Sequence, residues 1–168
     1  MSELLIAVEQ HSSSFIFIQE TWLNADVASI ALPGYSVIAR RDRSAHENRG
    51  GVLSLCRSEL FAYVVHVHTS VVAERMWHLF VSPIGALCMC NWYRPGSSSD
   101  DVVLSFKDEY GEHGSDYIGS IIAGDLNFHS IRWLRHSSHN ARIADIMQQI
   151  CAEFSLIDYV RQPTRGNH

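Results

Sequence analysis

One stretch of the chain sets the strongest limit on its fold. Residues Met76 to Tyr93 contain no Asp, Glu, Lys or Arg, and a run of this length is close to that of a thin transmembrane helix. The middle of the run reads Ser82-Pro83-Ile84-Gly85, a composition typical of a turn. We therefore predict two buried strands joined by a tight turn, and the turn disfavours the alternative of a membrane helix.

Short apolar runs separated by turns continue on both sides of this pair. Strands are predicted over 15–18, 35–39, 51–57, 61–68, 71–81, 86–92, 118–123 and 156–160, and helices over 2–11, from 102 onward and over 142–154. This order suits helices packed on antiparallel-rich sheets better than a doubly wound parallel fold. No linker, repeat or low-complexity tract interrupts it, so residues 1–168 are predicted to form a single α/β domain.

Composition supports a packed domain and narrows the possible functions. The chain is 46% hydrophobic and 18% charged, which excludes a disordered chain or a collagen-like repeat. Its 13 Lys and Arg against 18 Asp and Glu give a formal net charge of −5. This balance argues against a purely electrostatic nucleic-acid binder. It leaves room for an enzyme that contacts nucleic acid over a small local patch.

The cysteines and the first eight residues indicate the cellular compartment of the protein. The four cysteines form no CxxC pair, so neither a zinc ribbon nor a thioredoxin-like site is indicated. The first eight residues carry Glu3 and make a poor signal peptide. Cysteines without a secretory signal are typical of reduced thiols, so an intracellular protein is predicted.

Polar side chains follow three of the predicted strands. Gln19 and Glu20 follow the first strand, Asn91 to Pro95 lie at and after the end of the second strand of the charge-free pair, and Gly124-Asp125-Leu126-Asn127 follows the last buried strand. Each of these alone is as typical of a solvated strand end or turn as of a site. Together they predict polar groups that converge on one edge of a layered sheet.

The residues at these strand ends resemble the endonuclease/exonuclease/phosphatase superfamily, and most closely the apurinic-type endonuclease domains of non-LTR retrotransposons. The resemblance rests on four stretches in the family order, Phe17–Leu23, Asn91–Pro95, Gly124–His129 and Gln162–Gly166. Trp133 fits a tryptophan that is common shortly after the Gly-Asp-x-Asn motif of these domains. The resemblance implies a four-layer α-β-β-α sandwich, with two mixed sheets face to face and helices outside.

The family reaction is phosphodiester hydrolysis assisted by Mg²⁺, with Mn²⁺ as the alternative cation. By this resemblance Glu20 is the metal ligand, and Asp125 orients or deprotonates the attacking water. Asn127 holds a phosphate oxygen or orients its neighbours, and Tyr93 donates a hydrogen bond to the phosphate. Arg94 is predicted as a further phosphate contact, on chemical grounds rather than from the motif. The implied partners are DNA and, in a longer parent protein, a reverse transcriptase. No membrane is implied, and action in the nucleus rests on the resemblance alone.

Two parts of the family pattern are not found in this sequence. One is an N-terminal strand with an Asn near the metal, and the other is a C-terminal segment with an Asp and a final Ser-Asp-His. The sequence starts in the helix that should follow that strand and stops at His168. We therefore expect a domain truncated at both ends with little activity, since each lost catalytic group typically costs a factor of about 10² to 10⁴.

Two other functions stay open at this point. The first is hydrolysis of another phosphoester, such as a lipid or a nucleotide, because the chain has no basic stripe. The second is a relic or binding module that keeps the fold without the chemistry. The histidines are not predicted to form a metal site. His66 and His68 have no third ligand nearby in the sequence, and His129, His136 and His139 are interpreted as loop residues.

Overall fold

Three α-helices, a 3-10 helix and seven strands follow one another in the described part of the chain. The computed structural model describes residues 2–42, 50–132, 134, 137, 139 and 141–160. The elements are α1 (Ser2–His11), β1 (Phe15–Gln19), β2 (Tyr35–Arg41), β3 (Val52–Arg57), a 3-10 helix (Ser58–Tyr63), β4 (Val64–Thr69), β5 (Glu74–Ser82), β6 (Gly85–Tyr93), α2 (Asp101–His113), β7 (Gly119–Ala123) and α3 (Arg142–Glu153).

The strands form two sheets that differ in their pairing. The first has the order β1-β3-β2 and is antiparallel throughout. The second has the order β4-β5-β6-β7, in which only β6 and β7 run parallel. The charge-free stretch is the hairpin of β5 and β6, which closes where Ser82 pairs with Gly85. The prediction of two strands joined by a turn is therefore confirmed. Within the described residues, no helix is long and apolar enough to cross a membrane.

Two apolar cores place the helices on the outer faces of the sheets. On the first sheet, Leu53 and Leu55 pack with Leu4 and Val8 of α1. On the second sheet, an aromatic and aliphatic core joins the strands to α2 and α3: Trp77, Cys88, Cys90, Trp92, Val103, Phe106, Tyr110, Met147 and Ile150. The inner faces of the two sheets pack against each other. This contact includes a hydrogen bond of 3.0 Å from the Asn91 side chain of β6 to the carbonyl of Leu53 on β3. The predicted four-layer sandwich is confirmed.

Three predicted strands were wrong in whole or in part. The run over 61–68 begins in a 3-10 helix, the run over 71–81 begins as strand only at Glu74, and no strand forms over 156–160. The alternation of Tyr63, Val65 and Val67 suggested a half-buried strand, yet these side chains are 55%, 50% and 36% exposed. An apolar alternation therefore does not mark a core-facing strand here.

The paired histidines of β4 lie apart in the structure. The register between β4 and β5 shifts between His66 and His68. As a result His66 Nδ1 lies 3.2 Å from Nδ1 of His78, whereas the ring of His68 stacks on that of His113 with 4.7 Å between centroids. The bulge thus gives the two histidines different neighbours.

Acid is expected to destabilise the fold through His78, which is fully buried between the sheets. Burial, and then the charge of His66, lower its pKa from 6.5 to about 3. Below pH 6.5 this histidine binds a proton in the unfolded state but not in the folded state. The stability present above pH 6.5 is therefore lost as the pH falls toward 3. At pH 5 this loss is about 2 kcal/mol.

Urea unfolding at pH 7.5 and pH 5 measures this effect against a His78→Met variant, which cannot titrate at this position. We expect the wild type to lose more stability than the variant between the two pH values. Equal losses would show that His78 does not carry the acid sensitivity.

Candidate active site

The ends of β1, β6 and β7 meet at one edge of the sandwich. The hydroxyl of Tyr93 donates to Oε1 of Glu20 at 2.6 Å, which joins β6 to the residue that follows β1. The backbone N–H of Arg94 donates to the carbonyl of Asp125 at 2.9 Å, which joins β6 to the turn after β7. The structure therefore brings together the three polar strand ends that the sequence predicted to converge.

Glu20 occupies a sharp bend just after β1. Its φ is 52°, as is that of Trp22, and this left-handed region is uncommon for residues other than glycine. The bend is held by backbone bonds from Thr21 N to the carbonyl of Gly51 at 3.3 Å and from Trp22 N to the carbonyl of Gly50 at 2.9 Å. The Glu20 side chain is exposed, so the bend presents its carboxylate to solvent.

The turn after β7 is packed closely against β6. Gly124 has a φ of 147°, and a Cβ on it would lie 1.9 Å from the carbonyl oxygen of Trp92. Only glycine fits this approach, which explains why a glycine precedes Asp125. Asn127 is also left-handed, with a φ of 47°, and its Nδ2 donates to the carbonyl of Arg94 at 2.9 Å.

Arg94 lies beneath this turn and is only 1% exposed. Its guanidinium donates to the carbonyl of Leu126 at 2.6 Å, to that of Pro95 at 3.3 Å and to that of Asn127. It also lies over the ring of Phe128, 4.6 Å from the centroid. Burial lowers the pKa of Arg94, and the charge of Asp125 opposes that shift. The phosphate contact predicted for Arg94 stays a prediction, since its partners in the structure are main-chain carbonyls.

A cleft of about 400 Å³ lies beside Tyr93. Its polar lining comes from Arg41, Asp42, Glu74, Tyr93, Ser97 and Ser98. The guanidinium of Arg41 donates to the carbonyls of Ser70 and Ala73, which holds it in place at the cleft wall. The cleft therefore offers hydroxyl groups and mixed charge next to the tyrosine, rather than a uniformly basic surface.

The donor set at the strand ends is compatible with a hard cation. Glu20 offers a carboxylate of which Oε1 already accepts the Tyr93 hydroxyl. Among the described residues, no three His, Cys, Asp or Glu side chains cluster as a metal cage. Mg²⁺ keeps several waters and commonly binds through one or two carboxylates and substrate phosphates, so a site built on Glu20 fits this cation.

Sequence reasoning missed the roles of Gln19 and Asn91. The amide Nε2 of Gln19 donates to Oδ1 of Asn91 at 2.7 Å, and Asn91 is fully buried. A polar residue inside the otherwise apolar run of β6 was the available signal. Of the loop histidines, His129 stacks on His139 with 4.4 Å between centroids. His136, Trp133 and the stretch 162–166 lie outside the described residues.

Comparison with known proteins identifies the fold. No family model matches the chain, and no curated protein matches it. The endonuclease domain of TRAS1, a telomere-specific non-LTR retrotransposon, is similar with a TM-score of 0.69 and 15% identity over 91% of this chain and 64% of its own. AP endonuclease LMAP from Leishmania major is similar with a TM-score of 0.66 and 17% identity over 91% of this chain and 61% of its own.

These neighbours share their architecture with the chain. At such identities the likeness shows the fold alone, and the chain spans less than two thirds of the length of either structure. The likeness therefore confirms the predicted architecture, a four-layer α-β-β-α sandwich shared with these two structures.

Proposed function

We propose that the chain carries a nuclease-type site of the kind that performs Mg²⁺-dependent phosphodiester hydrolysis, with DNA as the substrate, and that the activity of the chain on its own is low. The observation that supports this most directly is the hydrogen bond of Tyr93 to Glu20, at an edge that also holds the Gly-Asp-x-Asn turn. The fold is shared with two nucleases. A fold alone does not fix a function, and the proposal therefore depends on this juxtaposition of side chains.

Glu20 is the residue that would hold the cation. Its carboxylate is exposed, and its bend is fixed by the carbonyls of Gly50 and Gly51, so the ligand is presented without a large rearrangement. When bound, Mg²⁺ or Mn²⁺ supplies positive charge that stabilises the phosphate and the leaving oxygen.

The remaining roles fall to the other two strand ends. Asp125 orients the attacking water or takes its proton, as a carboxylate in hydrogen-bonding range can do. Tyr93 donates its hydroxyl to a phosphate oxygen in place of its present bond to Glu20. Asn127 uses one amide hydrogen to donate to the carbonyl of Arg94, and the other is proposed to donate to the phosphate. An amide adds no negative charge where charge develops.

The cleft beside Tyr93 is the proposed path for the substrate backbone. Ser97 and Ser98 line it. The Ser98 hydroxyl donates to the carbonyl of Pro95, so the Ser97 hydroxyl is the one proposed to donate to a phosphate oxygen, as hydroxyl groups commonly do in protein–DNA interfaces. The likeness to a retrotransposon endonuclease supports extending the proposal to a reverse transcriptase as a partner in a longer protein.

Binding of a short DNA duplex, followed by fluorescence anisotropy in Mg²⁺ and in EDTA, tests the site. We expect Mg²⁺ to strengthen binding to the wild type, and the Glu20→Gln variant to lose this gain. The expected loss is about tenfold in Kd, because one charge-assisted contact is removed. Glu59→Gln is the matched control, since the Glu59 side chain is 72% exposed on the 3-10 helix. Equal Mg²⁺ dependence in all three proteins would refute the proposed cation site.

Plasmid nicking in the same buffers separates an active enzyme from an inactive relic. From the sequence we expect the chain to nick supercoiled plasmid no faster than its Asp125→Ala variant. Nicking that depends on Asp125 would contradict this expectation of low activity and would support hydrolysis directly.

The charge of the chain favours a second candidate, a phosphoesterase for a smaller substrate. The formal net charge is −5, and Asp42 and Glu74 line the cleft beside Tyr93. Both features disfavour a long polyanion more than a short one. Hydrolysis of lipid or nucleotide phosphoesters without any cleavage of DNA would favour this candidate.

A further inference from the structure

Strand β6 reaches the end of β1 through two side chains that lie two residues apart. Asn91 Oδ1 accepts the Gln19 amide at 2.7 Å, and the Tyr93 hydroxyl donates to Glu20 at 2.6 Å. Residues i and i+2 of a strand share a face, so both side chains extend from one face of β6. Gln19 and Glu20 are consecutive, and each is tied to the second sheet by a side chain of its own.

Strand β3 fixes the orientation of the Asn91 side-chain amide. Its Nδ2 donates to the carbonyl of Leu53 at 3.0 Å and to Oγ of Ser54 at 3.1 Å. Oγ of Ser54 in turn lies 2.9 Å from Nε2 of His78. Because the nitrogen of Asn91 is committed to β3, its oxygen must face Gln19.

This chain of polar groups lies where apolar packing would be expected. Ser54, His78 and Asn91 are each 0% exposed, and burying polar groups costs free energy unless their hydrogen bonds are made. The chain ends at Gln19, directly before the bend at Glu20. A satisfied buried network of this kind fixes one arrangement of its members.

The bend at Glu20 needs such support. A φ of 52° at this residue persists only where its surroundings hold it. After Glu20, the backbone N–H groups of Thr21 and Trp22 donate to the carbonyls of Gly51 and Gly50 and hold the bend on its C-terminal side. Before Glu20, the side chain of Gln19 donates to Asn91 and holds the bend on its N-terminal side.

We infer that Gln19 and Asn91 are positioning residues, which hold the bend after β1 so that the Glu20 carboxylate meets the Tyr93 hydroxyl. The inference rests on the proposed function only in taking Glu20 as the ligand of a cation. Positioning partners outside a metal's own ligands commonly change metal affinity by about 10- to 100-fold.

Crystal structures and Mn²⁺ binding of a Gln19→Met variant test the inference. Methionine keeps the length of the side chain but cannot donate to Asn91. We expect the Glu20 carboxylate to leave the Tyr93 hydroxyl, and the Kd for Mn²⁺, followed by electron paramagnetic resonance, to rise about tenfold.

Tyr110→Phe is the matched control. It removes a hydrogen bond of 2.7 Å to Ser120. Tyr110 lies on α2 and packs in the core between the helices and the second sheet, which is the sheet that carries Asn91. We expect this variant to lose some stability in urea while Glu20 stays on Tyr93 and Mn²⁺ affinity is unchanged. A loss of Mn²⁺ affinity in Gln19→Met alone therefore reports position rather than general stability.

Glu20 remaining on Tyr93 in the Gln19→Met structure, with wild-type affinity for Mn²⁺, would overturn the inference. A wild-type chain that binds no Mn²⁺ would refute the proposed cation site instead. In that case the place of Glu20 in the Gln19→Met structure decides whether Gln19 acts by positioning. A displaced carboxylate supports the inference, and an unmoved carboxylate overturns it.

Discussion

Replacing Gly124 with alanine is expected to destabilise the folded chain by about 3 kcal/mol, because two unfavourable effects coincide there. The φ of 147° is one that side-chain-bearing residues rarely adopt, and the new methyl group would lie 1.9 Å from the carbonyl oxygen of Trp92. That neighbour is backbone in the middle of a sheet, so it cannot rotate away. Relief of the clash requires β6 and the turn of Asp125 to separate.

Urea unfolding of Gly124→Ala beside Gly111→Ala measures this effect. Gly111 lies within α2, where a Cβ would meet nothing within 4 Å. Alanine should therefore stabilise the helix there by about 0.5 to 1 kcal/mol. The same chemical change is thus expected to act with opposite signs at the two sites. A Gly124→Ala protein as stable as the wild type would show that the turn does not need this close approach.

Much of the fold could be predicted from local patterns in the sequence. The charge-free stretch of Met76 to Tyr93 predicts its hairpin correctly because its turn, Ser82 to Gly85, interrupts an apolar run that is otherwise uniform. The spacing of apolar residues predicts helix α3, and Met147 and Ile150 are buried on the face that this spacing defines. Such signals are local, and tertiary packing reinforces them.

The errors arise where packing overrides a local pattern. The apolar alternation from Tyr63 to Val67 lies largely in solvent, and a bulge between His66 and His68 shifts the register of β4 against β5. A bulge depends on the partner strand, so a single strand's sequence does not reveal it.

The candidate site was predictable in its members but not in its connections. Glu20, Tyr93 and Asp125 lie at or just after the ends of apolar runs, which is a sequence signal, and the structure brings the three strand ends together. The hydrogen-bonded side chains of Gln19 and Asn91 are 72 residues apart in sequence. No local pattern links them, since only the stacking of the two sheets makes them neighbours.

Replacing Arg94 with methionine is expected to destabilise the chain by about 3 kcal/mol, since hydrogen bonds to a charged group contribute about 1.5 to 3 kcal/mol each. The guanidinium is 1% exposed and donates to the carbonyls of Leu126 and Asn127. Methionine would leave those carbonyls without this donor and would free the turn that carries Asp125. The effect should therefore appear both in urea unfolding and in weaker Mg²⁺-dependent binding of DNA.

Arg57→Met and Arg94→Lys separate the causes of that loss. Arg57 also donates to a carbonyl, that of Ser12 at 3.0 Å, but at an exposed position, so its replacement should cost no more than about 0.5 kcal/mol. Lysine at position 94 keeps the charge but lacks the planar fork that spans two carbonyls. If Arg94 acts by holding the turn, Arg94→Lys loses stability almost as Arg94→Met does. If it acts as a phosphate contact through its charge, Arg94→Lys keeps both stability and DNA binding, and the structural role is refuted.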